Sequence, residues 1–193
     1  MDKISKLAKT IRIITVVPIM ALVMLVILYR INQNIFLETY QYVLTLVFLT
    51  ILPLSAYPLQ PVLPKFRDKG REGQRNLALV MGVLGYLGGI IWAICFHTTQ
   101  ELLFIYLIYF LSGIGILLFN KVLKIRASGH ACGVAGPILI LMYFIGSKAL
   151  ISIVVLASVF WASIKTKRHT MPQLIWGSVI PVVALLLAKL QIF

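Results

Sequence analysis

Apolar residues run along this chain in long blocks, and the charges that interrupt them mark out its plan. Stretches without Asp, Glu, Lys or Arg occur at 13–29, 39–64, 76–100, 102–120, 127–147, 149–164 and 170–188. Crossing a hydrocarbon core of roughly 30 Å takes about 20 mostly apolar residues in a helix. A helix also satisfies its own backbone hydrogen bonds where no water can. The pattern therefore predicts about seven transmembrane helices, at about 12–30, 40–63, 77–97, 101–119, 129–146, 149–164 and 172–190. The sixth is short and crosses only if its polar ends snorkel to the interface. So little of the 193 residues is left for loops that the expected architecture is a single membrane domain over 1–193, an all-α integral membrane protein folded as a polytopic helical bundle.

Composition agrees with that pattern. Hydrophobic residues make up 61% of the chain, charged residues 12%, and the mean hydropathy is +1.00, which excludes both an ordinary soluble globule and a disordered chain. The N-terminal run after Lys3, Lys6, Lys9 and Arg12 could pass for a signal peptide. It is too long for a typical signal core and has no small-x-small site before Tyr29 and Arg30, so it is expected to be retained as a helix. Cys95 and Cys132 fall inside apolar spans, where a thiol packs as a small apolar group.

A net charge of +13 would suggest nucleic acid in a soluble protein; here the placement of the charge matters more, and no nucleic-acid partner is expected. With alternating spans, 15 of the 18 Lys and Arg fall on one side: the N-terminal segment and the loops at 65–75, 121–126 and 165–168. The other side carries Arg30, Lys148 and Lys189 together with Glu38 and Glu101. The positive-inside rule makes the basic face cytoplasmic. Basic residues gathered to hold an anionic substrate would cluster the same way, but the four N-terminal cations read as topology alone.

Polar residues at membrane depth are costly and so mark candidate sites, and the three histidines are the first to weigh. His97 sits beside Thr98, Thr99 and Gln100 and reads as part of an interfacial cap. His130 follows Lys124, Arg126, Ser128 and Gly129, with Ser128 as N-cap of the fifth span. His169 follows Lys165, Lys167 and Arg168, with Thr170 as N-cap and Pro172 in the first turn of the seventh span. The two positions look alike. Helix-start amides, a hydroxyl and cations beside each make a ready anion site, and two histidines suit phosphate chemistry with one nucleophile and one proton donor. The competing reading is an interfacial loop whose basic residues serve topology and whose histidines are incidental. Metal chemistry is disfavoured, because Asp68 and Glu72 are the only loop carboxylates on the basic face and two histidines lack a third zinc ligand. No cofactor is expected.

The loops at 65–76, 124–131 and 165–173, taken in order, resemble the three signature motifs of the PAP2 (type 2 phosphatidic acid phosphatase) superfamily of membrane lipid phosphatases, a likeness that covers roughly 65–177. Ser128-Gly129-His130 matches the second motif, and the small residues Ala131, Gly133, Ala135 and Gly136 that follow suit close helix packing. His169 with Gln173 four residues on fits the end of the third motif, and Arg75-Asn76 fills the arginine slot of the first. Asp68 stands where the first motif has lysine, with Lys69 one position off; Ser163 stands where the third has arginine, and Gln173 where it has a carboxylate. Arg168 or Arg126 would have to replace the cation missing at 163.

The resemblance implies a PAP2-like core and a metal-independent phosphatase acting on lipid or isoprenoid phosphate or diphosphate esters. His169 would form a phosphohistidine, His130 would protonate the leaving alcohol, and Gln173 would orient His169. Arg75, Lys69, Ser128, Gly129, Arg126 and Arg168 would hold the phosphate. The alternative is a non-hydrolytic relative that binds or transports a phospholipid or polyprenyl phosphate. A small transporter of another kind ranks last, because the spans hold no buried acidic residue.

Overall fold

The computed structural model describes residues 3–193, all of whose regular structure is helical. The α-helices are α1 (Lys3–Ile14), α2 (Val17–Ile31), α3 (Thr39–Leu46), α4 (Leu52–Leu59), α5 (Pro64–Arg67), α6 (Gly70–Cys95), α7 (Gln100–Leu117), α8 (Gly129–Ile145), α9 (Ile153–Lys165) and α10 (Met171–Ile192). Five helical runs are long and apolar enough to cross a membrane: Thr39–Leu59, Gly70–Cys95, Gln100–Val122, Gly129–Lys165 and Met171–Ile192. The α1–α2 pair, bent by 60°, makes a sixth if it is one span. The chain is therefore a helical protein with the makings of several membrane crossings.

The first expected span, 12–30, is not a continuous helix. α1 stops at Ile14, Val16 takes an extended conformation (φ −61°, ψ 148°), and α2 starts with Pro18 in its first turn. The proline ring would clash with the carbonyl four residues back, at Ile14, so one straight helix cannot pass through this point. The span expected to reach 63 ends at Leu59, and a π-helical stretch, Val47–Ile51, joins α3 to α4 just ahead of Pro53. That widened turn accommodates the backbone bond Pro53 cannot make.

The 129–165 run turns back on itself. Gly146 ends α8 at φ +64°, a conformation that favours glycine, and a 3₁₀ segment, Gly146–Ser152, leads into α9. Val134 and Ile138 of α8 then meet Val159 of α9, with Ile11 of α1 and Met20 of α2 packed against the same cluster. Gly133 lets α2 approach, since a Cβ there would lie 2.2 Å from the Val17 side chain.

α7 lies at the centre, with Phe104, Ile105, Tyr106 and Ile108 buried against Met24, Leu25 and Leu28 of α2 and Ile140 of α8. Some of the polar atoms in this interior are paired: Tyr106 Oη donates to Thr45 Oγ1 at 2.9 Å, and Thr45 donates to the Gln41 carbonyl at 2.7 Å, whereas the buried hydroxyls of Thr50 and Ser112 have no hydrogen-bond partner among the described residues. One end of the bundle is closed by the 33–38 and 96–99 turns, where Thr99 Oγ1 donates to the Ile35 carbonyl. His97 sits there in the left-handed region (φ 48°), closing α6. The loops with most of the cations lie at the other end.

Candidate functional site

Three helix ends are tied together at the basic end of the bundle. A second π-helical stretch, Leu118–Val122, extends α7 and delivers Asn120. The Asn120 amide accepts from the Ala127 N–H at 3.1 Å and donates to the Ala127 carbonyl at 3.2 Å, so it fixes the chain just before α8. The Ser128 hydroxyl caps α8 by accepting from the Ala131 N–H at 3.2 Å. The Ser128 N–H donates to the Gln173 carbonyl at 2.9 Å, which joins the start of α8 to the start of α10. Gly177 permits that contact, since a Cβ there would lie 2.3 Å from the Ser128 carbonyl oxygen.

His169 lies immediately before the Thr170 cap of α10 and is half-buried. Its Nδ1 is 3.0 Å from Gln173 Oε1, and the Thr170 N–H points at the same oxygen at 3.4 Å. With a backbone donor aimed at it, that atom is the acceptor oxygen of the amide. Nδ1 therefore donates, and the Nε2 lone pair of the neutral ring is left free. Burial pulls the His169 pKa below its ordinary value. The Gln173 bond opposes this, while the charges of Arg12, Arg75 and Arg126 push the same way as burial. The neutral form of the ring is thus favoured.

An open cavity of about 450 Å³ adjoins it, lined by Arg126, Ile164, Lys167, Arg168, His169, Thr170, Met171 and Gln173. Lys167 and Arg168 reach its wall through the closing turn of α9. Lys167 has φ +52°, its N–H donates to the Ile164 carbonyl, and the Arg168 N–H donates to the Ser163 carbonyl. That is a left-handed helix stop usually given to glycine.

His130 is placed differently. It lies two residues inside α8, facing the break between α1 and α2, and its Nε2 is 3.0 Å from Thr15 Oγ1. Thr15 donates its own proton to the Ile11 carbonyl at 2.6 Å, so the hydroxyl accepts from His130 Nε2–H and leaves Nδ1 as the free ring atom. One turn before the bend in the chain, Arg12 Nη1 donates to Ser163 Oγ at 2.7 Å. His130 lies within electrostatic reach of both Arg12 and His169.

The structure thus brings together His130, His169, Gln173, Arg75, Arg126 and Arg168, from the ends of α6, α7, α8, α9 and α10. Ser128 is completely buried and its hydroxyl is engaged as a cap, so it shapes the helix start rather than lining the cavity. Gly129 leaves open space where a side chain would be, and its amide opens the helix without an intrahelical acceptor. Lys69 ends the turn before α6 and is not among the charges acting on either histidine. Sequence reasoning missed Arg12, Thr15, Lys167 and Asn120. Arg12 was hidden by its place at the end of a run of topological cations, and Asn120 by its place at the end of an apolar span, although an amide just before a basic loop is a usable signal. Among the described residues no three His, Cys, Asp or Glu side chains gather as a metal site would require, and Cys95 and Cys132 are both free thiols. Compared with family models, curated proteins and solved structures, the chain matches none.

Proposed function

We propose that the chain is a seven-span, PAP2-like membrane phosphatase that hydrolyses a lipid or isoprenoid phosphate or diphosphate ester without a metal, through a phosphohistidine. The observation that carries this reading is the bond from His169 Nδ1 to Gln173 Oε1, which leaves Nε2 unprotonated beside a cavity ringed by Arg126, Lys167 and Arg168. Nε2 attacks phosphorus, the P–N bond forms, and the P–O bond to the alcohol breaks. For this step His130 is in its doubly protonated form: it gives the alcohol oxygen its Nδ1 proton, keeps Nε2–H on Thr15, and takes a proton back from the water that then cleaves the P–N bond to release phosphate. The cations hold the phosphoryl oxygens as charge develops on them.

Seven crossings follow if the bent α1–α2 pair counts once and the run folded back at Gly146 counts twice. The basic end is then cytoplasmic. In that position the headgroup meets the cavity while the tails stay in lipid, alongside exposed Ile164, Met171 and Ile175. Single cysteines placed at Glu38 or Glu101 should react only from the outer side, and labelling from the cytoplasm would refute the topology.

The assay for the function is phosphate release from a panel of lipid phosphates by purified protein in excess EDTA. Release lost with His169→Ala is the expected result, and no release from any member of the panel overturns the enzyme reading. One observation favours the non-hydrolytic binder instead: Gln173 is an amide, which orients the imidazole but cannot stabilise its charged form as a carboxylate does. Lipid-phosphate binding without release would select that reading.

A further inference from the structure

The charge of a guanidinium on the N-terminal helix acts on both histidines. Arg12 is half-buried at the end of α1, which packs along α9 through Ile11 in the cluster with Val155, Leu156 and Val159. Its Nη1 donates to the hydroxyl of Ser163, itself completely buried, and its charge acts on His130 and on His169. Ser163 is neutral, and no carboxylate among the described residues pairs with Arg12; the one salt bridge there joins Arg67 to Asp68. Another cation, Arg71, lies within electrostatic range and raises the cost of the charge. A half-buried guanidinium held in place without a counter-ion is costly, and the remaining N–H donors of its fork suit a tetrahedral oxyanion.

We propose that Arg12 is an anion-binding residue of this site, so that the N-terminal helix supplies part of the phosphate cradle between the two histidines. This rests on the phosphate-site reading above. It makes residues that would otherwise serve only to orient the chain part of the chemistry: the 60° bend between α1 and α2 lays α1 against α9 and the start of α8.

Inorganic phosphate binding to the purified protein in detergent, followed by calorimetry, tests the assignment, with lipid-phosphate turnover alongside. Arg12→Ala should weaken phosphate binding by about ten- to a hundredfold, the range for a lost charge-assisted hydrogen bond, and should flatten its salt dependence. Arg12→Lys, which keeps the charge without the fork, should fall between. Ser163→Ala breaks the tie between α1 and α9 but leaves the guanidinium, so it should cost only a few-fold. If it matches Arg12→Ala, Arg12 is a structural clip and the proposal fails. The exchange Arg12→Ser with Ser163→Arg returns the cation to the same place from the other helix and should restore binding to within a few-fold; it also decides the matter if Arg12→Ala does not fold. Wild-type binding that Arg12→Ala leaves unchanged overturns the role of Arg12 alone. A wild-type protein that neither binds phosphate nor releases it from any lipid phosphate overturns the site reading and this inference with it.

Discussion

Two helices at the basic end begin with the same materials, a hydroxyl cap and a histidine beside cations, yet their histidines meet different surroundings. At α10 the histidine stands one residue outside the Thr170 cap, where Gln173 from the first turn reaches back to it and the cavity opens beside it. At α8 the histidine stands two residues inside the Ser128 cap and is carried into the bundle, against Thr15 of the N-terminal segment. Three positions relative to a cap separate a free Nε2 facing a cavity from an Nε2–H already bonded to a hydroxyl. Similar motifs can thus hold unlike roles, because the cap decides which way the side chain leaves the helix.

Removing each histidine tests this contrast most severely. His169→Ala should abolish phosphate release, since no other side chain lining the cavity offers an imidazole nitrogen. His130→Ala should slow release from an alkyl phosphate by about 10²–10⁴-fold, the usual contribution of a positioned acid. An aryl phosphate, whose leaving group needs less protonation, should partly rescue His130→Ala and leave His169→Ala inactive. Equal rescue of both would break the division of labour, and turnover rates that respond to neither change would move the assignment to the binder.

The next largest effect belongs to the tie between the two helix starts. Gly177→Ala puts a Cβ 2.3 Å from the Ser128 carbonyl oxygen, a backbone atom that cannot swing away. Overpacking of this kind costs about 1–3 kcal/mol, and it should lower the unfolding midpoint in detergent and the phosphate release rate together. Gly129→Ala is the control, because nothing lies within 4 Å of a Cβ there. Matching losses in the two variants would show that the α8–α10 contact is not what sets the site.

Most of the helices and one of the two histidine settings were legible in the sequence. Uninterrupted apolar runs mark where backbone must be helical in lipid, and the contact of His169 with Gln173, four residues on, was expected from the resemblance. Two features were not legible, each for a physical reason. Pro18 reads as one apolar residue in a long run, but its ring ends α1 and produces the bend. The turn at Gly146, by contrast, was marked in the sequence by Lys148, which divides the spans expected at 129–146 and 149–164. Arg12 looked like topology because charge counts ignore depth. The cation missing at 163 was expected from Arg126 or Arg168, while the guanidinium that bonds Ser163 comes from 151 positions away, at Arg12.

A smaller expected effect sharpens the electrostatic side of the comparison. Burial, with Arg12, Arg75 and Arg126, holds the His169 pKa below its usual value, so the neutral nucleophile persists as pH falls below 6.5, the ordinary value for histidine. The acid limb of the turnover profile should therefore lie below pH 6.5, with activity lost as the pH drops through the depressed pKa. Gln173→Asp places a carboxylate against Nδ1 and favours the imidazolium. It should move that limb to higher pH, and it should raise the plateau rate, because the carboxylate stabilises the charge that develops when Nε2 attacks. A limb that stays put in Gln173→Asp would mean that residue 173 does not face the ring in solution.

The smallest effect concerns the turn that presents cations to the cavity. Lys167 holds φ +52° to close α9, and a side chain in that region costs about 1–2 kcal/mol relative to the ordinary helical conformation, a cost glycine escapes. Lys167→Gly should therefore stabilise the protein by up to about 1 kcal/mol, seen as a higher unfolding midpoint, because the hydrogen bonds from 167 and 168 to the end of α9 are kept. The same change removes a cation from the cavity wall. Lys167 is solvent-exposed, so phosphate binding should weaken only a few-fold, in the range of an exposed charge pair. Lys167→Asn separates the two effects, since asparagine tolerates the left-handed region better than lysine and carries no charge. It should lose binding as much as glycine does while gaining less stability. If both variants gain stability and neither loses phosphate, the strained turn serves only to stop α9, and the cations that matter are those of Arg126, Arg168 and the N-terminal helix.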